Sequence, residues 1–353
     1  MAIKVGVNTL FLIPGKVGGS ETVTRNLLHA LRTVAPQTEL ILFTNLENHD
    51  TFEDYDRILL RVSARARAWR TLAEQSTLVH AAKQARIDIL LSLGYTAPMF
   101  GSFRQAVMMY DVQFLAFPED FGCLSRTVQR WLIPKIAYRS DCILTGSTFS
   151  QREIVDRLHV PVSKVHVVTF GVDSVFQPTH DRLFTEPYIL CVANAYPHKN
   201  LRRLVRVFDR LTSQIPHRLV IVGQSGAGEP DAHPKVTRIH RVEKEELVQL
   251  YSACDVFVLP SLYEGFGLPV LEAMACGARV VTSHCASLPE IAGDAATYFD
   301  PLNENDMASV LLQTLHEPAT VRNEFRTKGF QRAAQFTWDK TASRVLDALK
   351  TIV

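Results

Sequence analysis

Short runs of aliphatic and β-branched residues recur along this chain, and segments of helical period separate them. The runs of the first half are IKVGVNT, ELILFTN, DILLSLG, QAVMMYD, CILTGS and KVHVVTFG, with ETVTRNLLHALRTV and STLVHAAKQA between them. The second half repeats the alternation with YILCVAN, RLVIVG, KVTRIH, DVFVLP and ARVVTS. Strands that are apolar throughout, rather than at every second position, need cover on both faces, and helical crossovers provide it in a parallel sheet. The pattern therefore predicts an α/β fold: two doubly wound, Rossmann-like parallel sheets in tandem, with their strand ends facing a cleft. A length of 353 residues suits two domains. The join is expected within GVDSVFQPTHDRLFTEPYI, where Gly171, Pro178 and Pro187 punctuate a polar stretch. The expected limits are 1–172 and 173–335, followed by a helix over 336–353 that crosses back to the first domain. That helix has a face to bury, with Trp338, Ala342, Val345, Leu346 and Leu349 at helical spacing.

Composition narrows the function classes. A net charge of +2 argues against a nucleic-acid partner. The six cysteines, Cys123, Cys142, Cys191, Cys254, Cys276 and Cys285, form no CxxC pair and sit mostly inside apolar runs. They read as reduced, buried thiols of a cytoplasmic protein. The opening MAIKVGVNTLFLIPGKVGG carries only a short apolar run before a glycine loop, so it reads as a first strand and not a signal peptide. No apolar stretch reaches the ~18 residues of a membrane span.

Three turns at strand ends could carry chemistry. In YEGFGLPVLEAMACG, Glu264 precedes a glycine turn and Glu272 projects from the helix that follows. Gly265 and Gly267 permit close backbone approach, Pro269 suits a helix start and Gly277 a helix end, so the N–H groups of Phe266, Gly267 and Leu268 would face a ligand. Alone, the two acids could equally be solvated groups on a well-made joint. In YPHKN, Lys199 stands at a helix start, where the dipole disfavours a cation; an anion bound between them would remove the conflict, and a solvated lysine is the plain alternative. In PGKVGGSE, Gly18 and Gly19 precede a Ser20-capped helix. Neither glycine turn is a GxGxxG fingerprint, so a dinucleotide oxidoreductase has little support.

Taken with GSTFSQREI, GVDSVF, PHKNLRRL, SACDVFVLPSLYEGFGLPVLEAMACGARVVTS and SLPEIAGDAATYFDP, these turns make nearly the whole chain resemble the retaining sugar-nucleotide transferases of glycosyltransferase family 4, in particular its mannosyltransferase-like group. The resemblance implies the two-domain GT-B fold. It also implies transfer of a hexosyl group with retention of configuration, from a GDP- or UDP-sugar to a saccharide or lipid-linked acceptor in cell-surface polysaccharide or glycolipid synthesis. Mannose is the expected sugar. It implies that Glu272 accepts from the ribose hydroxyls, that Glu264 serves the donor sugar, and that the amides of Gly265, Phe266, Gly267 and Leu268 meet the sugar and diphosphate. Lys199 would neutralise the departing diphosphate, Gly18 and Gly19 would close over it, and Gly223, Gln224 and Val242 would line the base pocket. The nucleotide sugar is a substrate, and neither metal nor cofactor is expected.

The chain departs from the family in two places. Many relatives carry an arginine before the phosphate lysine, where this chain has Ala193 and Asn194; Asn194 stays among the expected donor contacts, and Arg202 or Arg203 could supply the charge. Many also have His-Asp where this chain has Tyr110-Asp111, leaving Tyr110 as either a hydrogen-bond donor beside the sugar or plain packing. A degenerate sugar-nucleotide-binding subunit and an epimerase on the same fold remain alternatives. Finally, RILLRVSARARAWR holds Arg57, Arg61, Arg65, Arg67 and Arg70 without an acid. If helical, it would align Arg57, Arg61 and Arg65 in one row beside Ile58, Val62 and Trp69, a face suited to the inner surface of a membrane; a solvated helix or an ordered loop is the plain alternative.

Overall fold

A computed structural model describes residues 3–120 and 122–353; the side chains of Cys123, Leu124, Ser125 and Thr127 lie outside that description, and with them the expected burial of Cys123. The chain divides into two units, one formed by Met1–Ala116, Gly122–Gly171 and Trp338–Val353, the other by Phe117–Phe121 and Val172–Thr337.

The first unit is built on seven strands: β1 (Lys4–Asn8), β2 (Glu39–Thr44), β3 (Asp56–Leu59), β4 (Ile89–Ser92), β5 (Arg104–Met108), β6 (Cys142–Thr145) and β7 (Val165–Val167). They pair in the order β3-β2-β1-β4-β5-β6-β7, all parallel. Every residue of β4 and β6 is buried, as a sheet covered on both faces requires. The terminal helix Trp338–Lys350 belongs to this unit, burying Trp338, Ala342, Val345 and Leu349. Its Thr341 hydroxyl donates to the Thr169 carbonyl at 2.7 Å.

The second unit carries six parallel strands: β8 (Tyr188–Val192), β9 (Arg218–Val222), β10 (Val236–Ile239), β11 (Val256–Leu259), β12 (Val280–Ser283) and β13 (Ala296–Phe299). Their order is β10-β9-β8-β11-β12-β13. In both units the chain winds outward in one direction and then returns to the centre to wind in the other. The reversal lies between β1 and β4 in the first unit and between β8 and β11 in the second. Where connections leave two adjacent strands in opposite directions, a crevice opens at their carboxyl ends, and ligands bind there in doubly wound sheets.

The expected basic helical row does not form. Arg57 lies in β3, paired in register with Leu42 of β2, and residues 60–66 are irregular before a helix begins at Arg67. Strand pairing at the edge of the sheet claims Ile58 and Leu59, so Arg57, Arg61 and Arg65 share no helix face. Two of the arginines meet acids: Arg65 lies 3.9 Å from Glu47 and Arg70 lies 3.8 Å from the buried Glu74. Among the described residues no helix is long and apolar enough to cross a membrane.

Candidate functional site

The reversal point of the second unit gathers YPHKN, which follows β8, and the Glu264 loop, which follows β11. Each residue of PHKN has a job. Pro197 opens a single 3-10 turn, Pro197–Lys199, and Asn200 ends it in the left-handed region at φ 61°. The His198 carbonyl accepts from the Leu262 N–H at 2.7 Å, so the two loops are joined through their backbones. The Asn200 amide donates to the carbonyls of Pro260 (3.1 Å) and Pro301 (2.9 Å), extending the join. His198 Nδ1 lies 2.6 Å from Asp120 Oδ2, with both side chains almost wholly buried.

Held this way, Lys199 Nζ reaches Glu264 Oε1 at 2.6 Å, and the Ser261 hydroxyl donates to the same oxygen at 2.7 Å. Burial disfavours the charged carboxylate, but Lys199, His198 and Ser261 outweigh it and hold the Glu264 carboxyl below its ordinary range. Ser287 fixes the loop from behind, its hydroxyl donating to the carbonyls of Glu264 (2.8 Å) and Phe266 (2.7 Å). Gly265 and Phe266 are buried in the loop. Gly267 has φ 111°, and the helix Leu268–Ala275 starts directly after it, with Pro269 in its first turn. Gly277 follows the helix at φ 79°.

Glu272 lies on that helix in a different setting. Its Oε2 accepts from the Tyr251 hydroxyl at 3.0 Å. Burial pushes its carboxyl up to about 7; the Tyr251 bond and the charge of Lys244 only partly offset this, and Asp173 adds to it. Lys244 itself is paired with Asp173 at 2.6 Å.

Behind the crevice, the glycine-rich loop after β9 lies flat on the chain that follows β8. A Cβ on Gly223, whose φ is 144°, would stand 2.3 Å from the Ala193 carbonyl oxygen; on Gly228 it would stand 2.5 Å from the Tyr196 carbonyl. Only glycine permits that approach. The Gln224 N–H donates to Asn194 Oδ1 at 2.8 Å, bringing two expected donor contacts together. Arg202 and Arg203 are engaged elsewhere: Arg202 donates to the carbonyls of Glu229 and Ala227, and Arg203 to Asn200 and Pro301. Val242 packs half-buried against the core.

In the first unit, Gly18 has φ 60° with open space around its Cβ position, and Gly19 begins the helix Gly19–Val34. Glu21 accepts from the Gly15 N–H at 2.7 Å and pairs with Arg25. The Tyr110 hydroxyl donates to the Leu93 carbonyl at 2.9 Å, and its ring lies between Tyr95 and Phe170. Burial raises its phenol pKa, opposed by Thr24 of the Gly19–Val34 helix. Asp111 accepts from the Tyr95 hydroxyl at 3.0 Å. Tyr95 stands just past β4, at the reversal point, and holds φ at 65°, a conformation costly for a tyrosine.

Sequence reasoning missed Ser261, Ser287, Tyr251, Tyr95 and the His198–Asp120 pair. Ser261 and Tyr95 had a usable signal, since each lies in the turn just after a strand bordering a reversal point, Ser261 after β11 and Tyr95 after β4. The others meet the site only through the fold.

Two doubly wound parallel-sheet units with glycine turns at their reversal points define the GT-B class of glycosyltransferase fold. The model for "Glycosyltransferase Family 4" matches residues 17–176, and that for "Glycosyl transferases group 1" matches residues 178–332. The chain belongs to glycosyltransferase family 4. It is 32% identical over 231 residues to the O-antigen chain mannosyltransferase B of Escherichia coli, covering 60% of each chain. It is 30% identical over 238 residues to an MMP alpha-(1->4)-mannosyltransferase of Mycolicibacterium hassiacum, covering 62% of this chain and 57% of that one. The matched stretch thus spans about 60% of these relatives' length. A sucrose-phosphate synthase from Thermosynechococcus elongatus has the same fold, with a TM-score of 0.79 at 19% identity over 99% of this chain and 98% of that one.

Proposed function

We propose that this protein transfers a hexosyl group, with retention of anomeric configuration, from a nucleotide sugar to a saccharide or lipid-linked acceptor. The observation that carries the reading is the Lys199–Glu264–Ser261 cluster, set at the reversal point of the second unit beside the start of the Leu268–Ala275 helix. A cation, a helix start and an ionised carboxylate in one crevice suit a phosphorylated sugar: cation and amides for the diphosphate, carboxylate for the sugar.

In this reading Lys199 exchanges part of its bond to Glu264 for the diphosphate and stabilises the charge that develops there as the glycosidic bond breaks. Glu264, kept ionised, accepts from sugar hydroxyls and steadies the electron-poor anomeric carbon. The amides of Phe266, Gly267 and Leu268 complete the diphosphate contacts. Glu272 accepts from the ribose, while Gly223, Gln224, Asn194 and Val242 border the base. The leaving phosphate takes the acceptor proton on the face of attack, which gives retention. The charge is met by Lys199 and backbone amides, so the reaction proceeds without metal. In the first unit Gly18 and Gly19 are assigned as donor contacts, the Tyr110 hydroxyl donates to Leu93, and Asp111 positions Tyr95. Mannose is the sugar assigned, supported by the names of the two relatives above.

A thermal-shift panel of nucleoside diphosphates and sugar nucleotides tests the reading. A ligand at 100 times its Kd stabilises by about 2.7 kcal/mol. We expect a shift with a guanosine or uridine diphosphate sugar, slow release of free sugar from it, and no effect of chelator on that release. No shift with any common sugar nucleotide would overturn the proposal; hydrolysis abolished by chelator would overturn its metal-free form.

A further inference from the structure

The first unit holds a cluster of polar side chains that donor binding leaves unused. It lies at that unit's own reversal point, where β1 ends at Asn8 and β4 ends at Ser92. The Asn8 side-chain amide donates to the Ser92 hydroxyl at 3.4 Å, joining the two strand ends. Thr96 follows β4 after a short turn, and its hydroxyl donates to Glu74 Oε1 at 3.0 Å. Glu74 comes from the helix Arg67–Gln75, one turn after Arg70, whose Nε stands 3.8 Å from the same oxygen. The set is a cation, a carboxylate and a hydroxyl, the same three kinds of group as Lys199, Glu264 and Ser261 in the second unit.

The two sets differ in how far they are satisfied. Lys199 and Ser261 both make hydrogen bonds to Glu264, whereas 3.8 Å is too long for one between Arg70 and Glu74. Glu74 is 1% exposed, yet among the described residues its Oε2 has no hydrogen-bond partner, and neither has Arg70 Nε. Burial raises the Glu74 carboxyl above its ordinary range, and Arg70, Thr96 and Asn8 only partly oppose it. A buried acceptor and a buried donor left unmade side by side weaken the fold and call for a further partner. The backbone next to them is strained as well: Tyr95, immediately before Thr96, holds φ at 65°. Such strain persists where a ligand site demands it, and this is the crevice at which a doubly wound sheet takes its ligand.

We propose that Arg70, Glu74 and Thr96 form the subsite that recognises a hydroxyl of the saccharide acceptor. A hydroxyl answers both orphaned atoms at once: it donates its hydrogen to Glu74 Oε2 and accepts from Arg70 Nε on a lone pair. A phosphate or carboxylate brings negative charge to a carboxylate and has no proton to give it. An aliphatic group leaves both atoms unmade. The chemistry therefore selects a neutral polyhydroxyl compound over the diphosphate of the donor. Arg70 is 16% exposed and Thr96 is half-buried, so the cluster is open at these two residues, and a turn of the long Arg70 side chain admits the hydroxyl to Glu74. Calling that saccharide the acceptor rests on the proposed transfer; recognition of its hydroxyl does not.

Saturation-transfer NMR of the full chain with methyl glycosides of the common hexoses and N-acetylhexosamines tests the subsite without donor. Consumption of a sugar nucleotide with and without the same glycosides tests its use. At least one glycoside should bind and should speed donor consumption. E74Q keeps the side chain's shape and an acceptor for Thr96 but removes the carboxylate. Loss of a hydrogen bond to a charged group should raise that glycoside's Kd and KM about tenfold or more, with the donor Kd within twofold of wild type. R70M should act alike, T96A more weakly, and R61E, in the exposed stretch before the helix, should change neither constant. Thermal melts check folding; should R70M unfold, E74Q and R70K carry the same test. No binding by any glycoside, or Kd and KM unchanged in folded E74Q and R70M, would overturn the subsite. So would a lowered melting temperature with both constants unmoved, the mark of a cluster that serves packing or holds only water. Glycoside binding that E74Q weakens, without any donor consumption, would leave the subsite standing and overturn the transfer reading instead.

Discussion

Glu264 and Glu272 lie eight residues apart on one loop and helix, yet their surroundings push them in opposite directions. Burial disfavours ionisation of both. At Glu264 a lysine 2.6 Å away, a serine hydroxyl and a nearby histidine reverse that pressure, and the carboxyl stays below its ordinary range. At Glu272 a tyrosine hydroxyl is the direct partner, the nearest lysine is already paired with Asp173, and the carboxyl rises to about 7. The chemical difference follows from topology. Glu264 sits where two loops from adjacent strands converge, so a residue from the other loop can reach it. Glu272 sits along a helix side, where its partner comes from the neighbouring helix Lys244–Ala253. The first setting suits a permanent charge beside a reacting sugar, the second an acceptor whose charge depends on what is bound.

The largest effect should come from removing the permanent charge. Glu264→Gln keeps the shape and a hydrogen-bond acceptor but not the charge. Loss of a preorganised electrostatic group typically costs about 10²–10³ in turnover, and we expect that loss in kcat with the donor Kd changed by only a few-fold. Steady-state kinetics with calorimetry of donor binding separates the two. A kcat within threefold of wild type, with donor binding lost, would show that the roles of the two acids are reversed.

Glu272→Ala should do the opposite. Hydrogen bonds to a charged acceptor are worth about 1.5–3 kcal/mol, so the donor Kd should rise by one to two powers of ten. The loss should be similar for a nucleoside diphosphate and its sugar conjugate, because the ribose is common to both. A loss confined to the sugar conjugate would place Glu272 at the sugar and blur the contrast.

Legibility from sequence followed the same physics. Strands buried on both faces were visible as apolar runs. The two strands absent from that reading, β3 and β13, are both edge strands, where a sheet is covered less completely. DRIL of β3 has no buried residue, and ATYF of β13 is half-buried at its two central positions. In β3 the arginine pattern was stronger than the strand pattern, which made the segment resemble a basic helix. The glycine turns, Lys199 and both acids stood out because their spacing is local. Asp120, 78 residues from His198, and Tyr251, 21 residues from Glu272, could not stand out in the same way, since only the fold makes them neighbours. Tyr110 was open to two readings by position, a donor beside the sugar or plain packing, and only the fold shows where its hydroxyl points, to the Leu93 carbonyl.

The smallest effect, and the one most specific to the contrast, concerns stability against pH. The Glu272 carboxyl titrates near 7 in the folded chain and near its ordinary value of 4.5 when unfolded. Between those values the folded state holds a proton that the unfolded state has released. Its contribution to stability therefore falls as pH rises through the window and levels off above about 7. Glu272→Gln is neutral throughout and escapes that fall, while its amide oxygen can still accept from Tyr251. The variant should match wild type near pH 5 and exceed it at pH 8, by an amount on the order of 1 kcal/mol once partial exposure is allowed for. At Glu264 the sign is reversed. Its lowered carboxyl supports the fold above the ordinary carboxylate range and loses that support as pH falls through its lowered value, so Glu264→Gln should be less stable than wild type at pH 8. Urea unfolding of both variants at the two pH values measures both signs in one experiment. If the two variants shift stability in the same direction at pH 8, the acids do not occupy the opposed environments described.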